Sequence, residues 1–148
     1  MTKVIIVDLD GTLADITHRL HLIKGELKDW RSFFLSVPHD EPIREIIDIV
    51  NALYYTGRYK IHIVTERNAS SERDTLLWLD KHGIQYHAIS MRSEGDRRSD
   101  IEVKTDIVRQ HYDLFNGEIA MMLEDRKRVV DHFRKFGIRV LQVGPGEF

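Results

Sequence analysis

The sequence predicts an α/β fold in which a Rossmann-like parallel sheet is flanked by helices. Five short apolar segments alternate with segments of helical periodicity, as expected when a crossover helix follows each strand. The predicted strands cover residues 3–8, 60–65, 86–90, 118–123 and 138–143. A chain of 148 residues buries roughly two-thirds of the surface of its unfolded form, which suits one core. We therefore expect a single domain over residues 1–148.

The first predicted strand contains a β-branched run, residues 4–7, of the kind that is buried on both faces of a parallel sheet. The run is followed by two carboxylates, Asp8 and Asp10, and Gly11 then allows a turn. Ligands of open α/β sheets collect at the carboxyl ends of the strands. Two carboxylates that converge there need a shared proton or a hard cation such as Mg²⁺. This strand end is therefore a candidate active site.

Helical spacing of apolar residues predicts four helices between the strands. They cover 42–55, a segment from Ser71 to Gly83, 100–112 and 127–136. Ser71 and Asp74 match the capping-box pattern at a helix start. Gly57, Gly83 and Gly137 match the glycine that commonly follows a helix.

An insert at about residues 15–42 separates the first strand from the first large helix. It is too long for a simple turn, and long connections of this kind usually shape an active site. Trp30, Phe33 and Phe34 have the spacing i, i+3, i+4, which favours a short helix packed on the body of the domain. Stacking of these rings on a nucleobase is the alternative.

The composition excludes several classes of protein. A net charge of −2 gives no broad electrostatic footprint for duplex nucleic acid, so any nucleic-acid contact should be local. The sequence has no cysteine, which rules out a disulfide framework and a thiolate metal site. No apolar run reaches the length of a membrane span, and no signal-peptide pattern precedes the first strand. We expect a cytoplasmic protein that makes no membrane contact.

Polar residues also end or follow other predicted strands. Thr65 and Arg67 lie at the end of the second strand, and Glu124 and Asp125 follow the fourth. Lys104 lies near the start of the third helix. Each of these residues alone is common by chance. A carboxylate pair, a hydroxyl, an ammonium and a further acid in this order suit phosphoryl transfer.

These residues, together with the sequence DLDGT at 8–12, resemble the four motifs of the haloacid dehalogenase superfamily of phosphohydrolases. The resemblance implies a haloacid dehalogenase-like fold with a minimal cap. It also implies that Asp8 is the nucleophile and that Asp10 is the general acid and base. In such enzymes a hydroxyl at the position of Thr65 donates to the phosphoryl oxygens, and an ammonium at Lys104 offsets their charge.

The same resemblance implies Mg²⁺ as the cofactor. The side chains of Asp8 and Asp125 and the backbone carbonyl of Asp10 would hold the ion, with Glu124 in an outer shell. Oxygen ligands of this kind are those that Mg²⁺ prefers.

A closer resemblance rests on three segments, residues 91–104, 124–130 and 142–148. They are similar to the phosphatase domain of phage polynucleotide kinase-phosphatase, a family that removes 3′-phosphates from nucleic-acid ends and nucleotides. The resemblance implies substrate-binding roles for several residues, most of them arginines, which are suited to bidentate phosphate contacts. They are Arg19, Arg67, Arg92, Arg97, Arg98, Asp100 and Arg126.

The chain departs from that family at two positions. The family has a glycine where this chain has Glu66, and an aspartate where it has Glu124. The kinase half of the relative is also missing, since the sequence contains no G-x-x-x-x-G-K-[ST] phosphate-binding loop. We therefore expect no transfer of phosphate from ATP.

The sequence thus predicts a Mg²⁺-dependent phosphomonoesterase that forms a phosphoaspartyl intermediate. Its expected substrate is a 3′-phosphorylated nucleotide or oligonucleotide, in the host cytoplasm if the chain is phage-encoded. One alternative is a 5′-(deoxy)nucleotidase or a phosphatase of small phosphometabolites. A second, from another class, is a phosphate-binding module that has lost turnover.

Overall fold

A computed structural model describes residues 2–146 of the chain. Its central sheet has five parallel strands in the order β5-β4-β1-β6-β7, and a separate two-stranded ribbon pairs β2 with β3. The strands are β1 (Lys3–Val7), β2 (Ala14–Asp15), β3 (Glu41–Pro42), β4 (Tyr59–Asn68), β5 (Ala88–Arg92), β6 (Ile119–Glu124) and β7 (Val140–Gln142). The predicted parallel α/β fold is confirmed.

Five α-helices accompany the strands. They are α1 (Trp30–Leu35), α2 (Arg44–Tyr55), α3 (Glu72–Lys81), α4 (Asp100–His111) and α5 (Lys127–Arg134). Short 3₁₀ turns cover Thr17–Ile23, Val37–His39 and Ala69–Ser71. None of the helices within residues 2–146 combines the length and the apolar character that crossing a membrane requires.

The β-branched run of β1 is buried on both faces, as predicted. Ile5 and Val7 belong to a core cluster with apolar residues of α2 and α3. Val4 and Ile6, which point to the opposite face, belong to a second cluster with residues of α4 and α5. The sheet therefore lies between two helical layers, and the residues that follow its strands emerge together at one edge.

Several predicted boundaries were wrong by two or three residues. The first large helix begins at Arg44 rather than residue 42, because Pro42 pairs with Ala14 in the ribbon. The strand predicted at 86–90 runs from Ala88 to Arg92. The strand predicted to end at residue 65 continues to Asn68, which pairs with Arg92 after an irregularity in the ladder.

The capping box predicted at Ser71 was also wrong. The Ser71 hydroxyl donates to the carbonyl of Asn68 and does not cap α3. A capping box does form at the start of α4, where Ser99 Oγ accepts from the Glu102 amide and the Glu102 carboxylate accepts from the Ser99 amide. This box fixes the start of the helix that carries Lys104.

The insert leaves the domain at β2 and returns at β3. Asp15 pairs with Glu41 at the base of the excursion, and the chain between them forms two 3₁₀ turns and α1. The short helix predicted around Trp30 is confirmed, and Phe33 is its buried residue. The insert lies beside the strand end that carries Asp8, since both contribute to one cleft.

Candidate active site

The ends of β1 and β6 bring the first acidic residues together. The Asp8 amide donates to the Leu123 carbonyl at 3.0 Å, so Asp8 lies beside the carboxyl end of β6. Asp8 is buried, with 3% of its surface exposed. Its Oδ1 accepts from Lys104 Nζ at 2.9 Å, and its Oδ2 accepts from Thr12 Oγ1 at 3.1 Å. Both carboxylate oxygens are therefore held in a fixed orientation at the base of the cleft.

Burial raises the pKa of Asp8 to about 6, and the neighbouring charge of Glu124 adds to the rise, while Lys104 opposes it. Desolvation disfavours the ammonium of Lys104, but the carboxylates around it raise its pKa well above the ordinary value. Lys104 Nζ lies 2.6 Å from Glu124 Oε2 and 3.2 Å from Glu66 Oε1. Lys104 therefore stays charged and links three acids.

A buried acidic cluster lies beside this lysine. Asp8, Glu124 and Asp125 offer oxygen atoms that lie within 4.8 Å of one another. Asp125 Oδ1 is buried and has no hydrogen-bond partner within residues 2–146. Burial, followed by the charge of Asp8, raises the pKa of Asp125 to about 9. Converging carboxylate oxygens with an unsatisfied atom among them are a donor set that fits a hard divalent cation.

Asp10 is held by two arginines. Its Oδ1 accepts from Arg67 Nη2 at 2.6 Å, from Arg67 Nε at 2.9 Å and from Arg19 Nη2 at 3.2 Å. Burial alone would raise the pKa of Asp10, but the two guanidinium groups outweigh it and lower the pKa below its ordinary value. In this arrangement Asp10 is a carboxylate that can accept a proton.

Asp40 completes the buried network, and sequence reasoning missed it. Its Oδ1 accepts from Arg19 Nε at 2.8 Å, and its Oδ2 accepts from Arg19 Nη2 at 2.9 Å and Arg67 Nη2 at 2.8 Å. His18 Nε2 lies 2.7 Å from Oδ1, and the Asp40 carbonyl accepts from Trp78 Nε1. No motif surrounds this lone acid, so the sequence carried no signal for it.

The two arginines are themselves buried. Arg19 Cζ lies 4.2 Å from the centre of the Phe33 ring in the insert, and Arg67 Nη1 donates to Thr75 Oγ1 at 3.0 Å. Thr65, predicted to contact phosphate, is buried in β4, where its Oγ1 accepts from the Arg67 amide at 3.2 Å. These contacts tie the insert and β4 to Asp10.

The three arginines at the end of β5 and in the loop that follows it have different partners. Arg92 Nη2 donates to Asp100 at 2.6 Å, and Arg92 also donates to the carbonyls of Glu66 and Arg98. The other oxygen of Asp100 accepts from Arg126 Nη1 at 2.6 Å, so Asp100 joins the two arginines. Arg92 therefore braces the loop in this structure.

The other two arginines of the loop differ from each other. Arg98 pairs with Asp96 and Asp106 on the exposed side of α4. Arg97 is exposed and forms no hydrogen bond or ion pair with the described part of the chain. All three arginines line one cleft of about 730 Å³ together with Asp8 and Asp10.

Comparison with known proteins identifies the family. The profile described as "Polynucleotide kinase PNKP phosphatase domain" matches residues 2–148. The chain belongs to this family. It is therefore a phosphatase, a hydrolase of the haloacid dehalogenase superfamily, as the resemblance predicted.

Solved structures share the fold of this phosphatase. A structure of the Pnkp1/Rnl/Hen1 complex matches with a TM-score of 0.80 and 23% identity, and one of the Pnkp1/Rnl/Hen1 RNA repair complex with 0.80 and 25%. Both matches cover 100% of this chain, which spans only 48% and 44% of the matched chains. A class C acid phosphatase from Bacillus anthracis with tungstate bound matches with a TM-score of 0.66 and 17% identity, covering 99% of this chain and 68% of that one.

The two departures noted in the sequence meet at one atom of this phosphatase. Glu66 and Glu124 both approach Lys104 Nζ. Burial raises the pKa of Glu66, and the ammonium of Lys104 opposes that rise. Glu66 also lines the cleft, so it adds an acidic group to the cleft wall.

The segment after β7 closes the site from behind. A Cβ atom on Gly146 would lie 2.4 Å from the Asp125 carbonyl oxygen and 2.7 Å from the Lys127 amide nitrogen, so the backbone approaches too closely for a side chain. Val143 donates to the Glu124 carbonyl at 3.0 Å. Glu147 and Phe148, part of the segment that resembled the family, lie outside the described residues.

Proposed function

We propose that this phosphatase is a Mg²⁺-dependent phosphomonoesterase that removes 3′-phosphates from nucleotides or nucleic-acid ends. The observation that carries the proposal is the position of Asp8. It lies at the base of a cleft, with Lys104 on one oxygen and the acidic cluster with its unsatisfied Asp125 oxygen beside it. That combination supplies a nucleophile, a fixed positive charge and a set of cation ligands in one place.

The side chains of Asp8 and Asp125, with the backbone carbonyl of Asp10, would hold the ion, and Glu124 would support it through Lys104. When bound, Mg²⁺ neutralises charge on the phosphoryl oxygens and orients the substrate. The three carboxylates of the acidic cluster repel one another and would repel a phosphate, so the cluster favours a bound cation.

In the first half of the reaction, a carboxylate oxygen of Asp8 forms a bond to phosphorus while the bond to the leaving oxygen breaks. The leaving oxygen takes a proton from Asp10. The arginines favour the ionised form of Asp10, so it takes up this proton from solvent when the substrate binds, because the phosphate dianion raises its proton affinity by like-charge repulsion. Lys104 keeps Asp8 oriented throughout.

In the second half, water attacks phosphorus and the bond to Asp8 breaks. Asp10 takes the proton of that water and releases it to solvent as phosphate leaves, which returns both carboxylates to their starting state. The net change is one water consumed, with one alcohol and one phosphate released. Retention of Asp8 and Asp10 in the cleft, with Lys104 and Asp125 beside Asp8, disfavours a binding module without turnover.

The preference for nucleic-acid ends is supported by the family and by the cleft. One structural neighbour is described as the Pnkp1/Rnl/Hen1 RNA repair complex. Besides Arg67, which binds Asp10, four further arginines line the cleft, and guanidinium groups suit a substrate with further phosphates. They are Arg92, Arg97, Arg98 and Arg126.

Matched 3′- and 5′-nucleoside monophosphates test the proposal. We expect kcat/KM with Mg²⁺ to be clearly higher for the 3′ isomer, and Asp8→Asn to abolish turnover of both. A preference for the 5′ isomer would leave the nucleotidase alternative standing. Rapid hydrolysis of phosphometabolites that carry no nucleobase would favour a phosphatase of small phosphometabolites.

A further inference from the structure

The insert presents an aromatic face to the cleft. Trp30 and Phe34 of α1 line the same cleft as Asp8. Their ring centres are 6.0 Å apart and the ring planes differ by only 24°. The two rings are therefore stacked on each other, and Phe34 supports the indole of Trp30.

Packing of α1 accounts for two of its three rings. Phe33 anchors the helix, since it is 4% exposed and its ring lies against Arg19. Phe34 is partly buried and packs against the core cluster. Trp30 remains 48% exposed, so packing leaves much of its surface to a ligand.

The aromatic face is continuous with the catalytic groups. Arg19 contacts the Phe33 ring on one side and Asp10 on the other, through its Nη2 at 3.2 Å. Three aliphatic side chains of the insert extend the same wall. They are Ile16, Leu20 and Ile23.

A second hollow continues from this wall. Trp30, Phe34 and Asn68 line both the main cleft and a neighbouring hollow of about 490 Å³ that also includes Ser70. The aromatic pair therefore forms the border between the two spaces. A flat ligand that rests there can have one edge toward the nucleophile and the other toward polar side chains.

A cationic residue lines the same cleft. Arg97 is exposed there and has no partner within the described residues. A cleft that contains an exposed indole, an unpaired guanidinium and the carboxylate of Asp8 suits a nucleotide that carries a second phosphate. A small phosphometabolite would leave the apolar wall in contact with water.

We infer that Trp30, supported by Phe34, stacks on the nucleobase of the terminal nucleotide, while Arg97 contacts the phosphate on its 5′ side. Stacking needs one free face of that base, which the terminal base of a 3′ end offers and a base inside a strand does not. This inference rests on the proposed function, since it places the base of the nucleotide whose 3′-phosphate reaches Asp8.

The test compares two 3′-phosphorylated oligonucleotides that differ only in whether the terminal sugar carries a base. Stacking contributes about one to two orders of magnitude in affinity per base. We expect Trp30→Ala to raise KM for the base-carrying substrate at least about tenfold more than for the abasic one. Trp30→Phe, which keeps a ring, should recover most of the loss.

The control is Leu27→Ala, an exposed apolar residue of the same insert that lines neither space. It should leave KM for both substrates unchanged. Equal effects of Trp30→Ala on the two substrates, or none on either, would overturn the inference. A change in sedimentation with unchanged KM would also overturn it, because the rings would then contact a second copy of the chain.

A binding arm separates this inference from the proposed function. Asp8→Asn, titrated with nucleoside 3′- and 5′-monophosphates, reports affinity without turnover. If the 5′ isomer is the better substrate but Trp30→Ala still weakens binding in a base-dependent manner, the 3′-phosphatase proposal fails and the stacking site stands. If the 3′ isomer is preferred and binding ignores Trp30, only the stacking site fails.

Discussion

Substitution of Asp40 by asparagine should damage both stability and activity. Asp40 is 3% exposed and accepts three hydrogen bonds from the buried guanidinium groups of Arg19 and Arg67. An asparagine keeps one acceptor oxygen and directs N–H groups at the guanidinium donors that Oδ2 now satisfies. Two charge-assisted hydrogen bonds are lost, and two buried cations keep only Asp10. We expect a loss of about 3–5 kcal/mol in the free energy of unfolding.

The loss of activity should exceed what unfolding explains. Arg19 and Arg67 orient Asp10, and a misplacement of about 1 Å in a catalytic group costs roughly a hundredfold in rate. Urea unfolding and kcat/KM at a temperature where the variant stays folded measure the two effects. The control Asp48→Asn, exposed on α2, should change stability by less than about 0.5 kcal/mol. An Asp40→Asn protein within about 1 kcal/mol of the wild type, with full activity, would refute this reasoning.

Three further predictions concern the acids and the terminal loop. The pKa values of Asp8 and Asp125 are raised to about 6 and about 9, so the metal-free folded protein holds protons that the unfolded chain has released. Its free energy of unfolding should therefore fall as the pH rises from about 4 to about 9. Thermal melts with chelator should show this decline, and Mg²⁺ should reverse it unless Asp125 is replaced by asparagine. Glu66→Gln should lower KM for phosphomonoesters because one negative charge leaves the wall, and an unchanged KM would contradict that role. Gly146→Ala should lower Tm and kcat, because its Cβ would collide with the backbone at Asp125. The control Gly117→Ala is also at positive φ but in open space, so it should cost only backbone strain. Equal effects of the two substitutions would show that the close approach to Asp125 is unimportant.

The architecture was readable from the sequence because its strands are buried on both faces. A β-branched run such as residues 4–7 is typical of a central strand in a parallel sheet, and it is buried on both faces here. The polar residues that follow such a strand lie at the carboxyl edge of the sheet, where ligands bind. The structure does bring Asp8 and Asp125 together, and Lys104, which was predicted from the family resemblance, lies beside them. Their chemical roles stay predictions.

The network around Asp10 could not be read in the same way. Asp40 lies in an irregular insert without periodicity, so only the folded chain shows that it contacts both Arg19 and Arg67. The ion pair between Arg98, in the loop before α4, and Asp106, on α4, could not be predicted from the sequence either. Such contacts depend on side-chain direction, which local sequence patterns do not specify.

The capping box shows how two similar patterns can differ in outcome. Ser71-x-x-Asp74 and Ser99-x-x-Glu102 both fit the motif, but only the second forms it. Ser71 is the last residue of a 3₁₀ turn, and its hydroxyl donates to the carbonyl of Asn68, just before that turn. Local competition for one hydroxyl decided the outcome.

Trapping the covalent intermediate tests the assignment of Asp8 as the nucleophile most directly. Acid quenching during turnover, followed by peptide mapping by mass spectrometry, should locate a phosphoryl group on Asp8. The adduct should accumulate in Asp10→Asn with an activated aryl phosphate, because that substrate needs no proton for departure while the water step loses its base. Asp8→Asn should yield no adduct. Turnover without a phosphorylated Asp8, or an adduct on Asp125 instead, would contradict the mechanism.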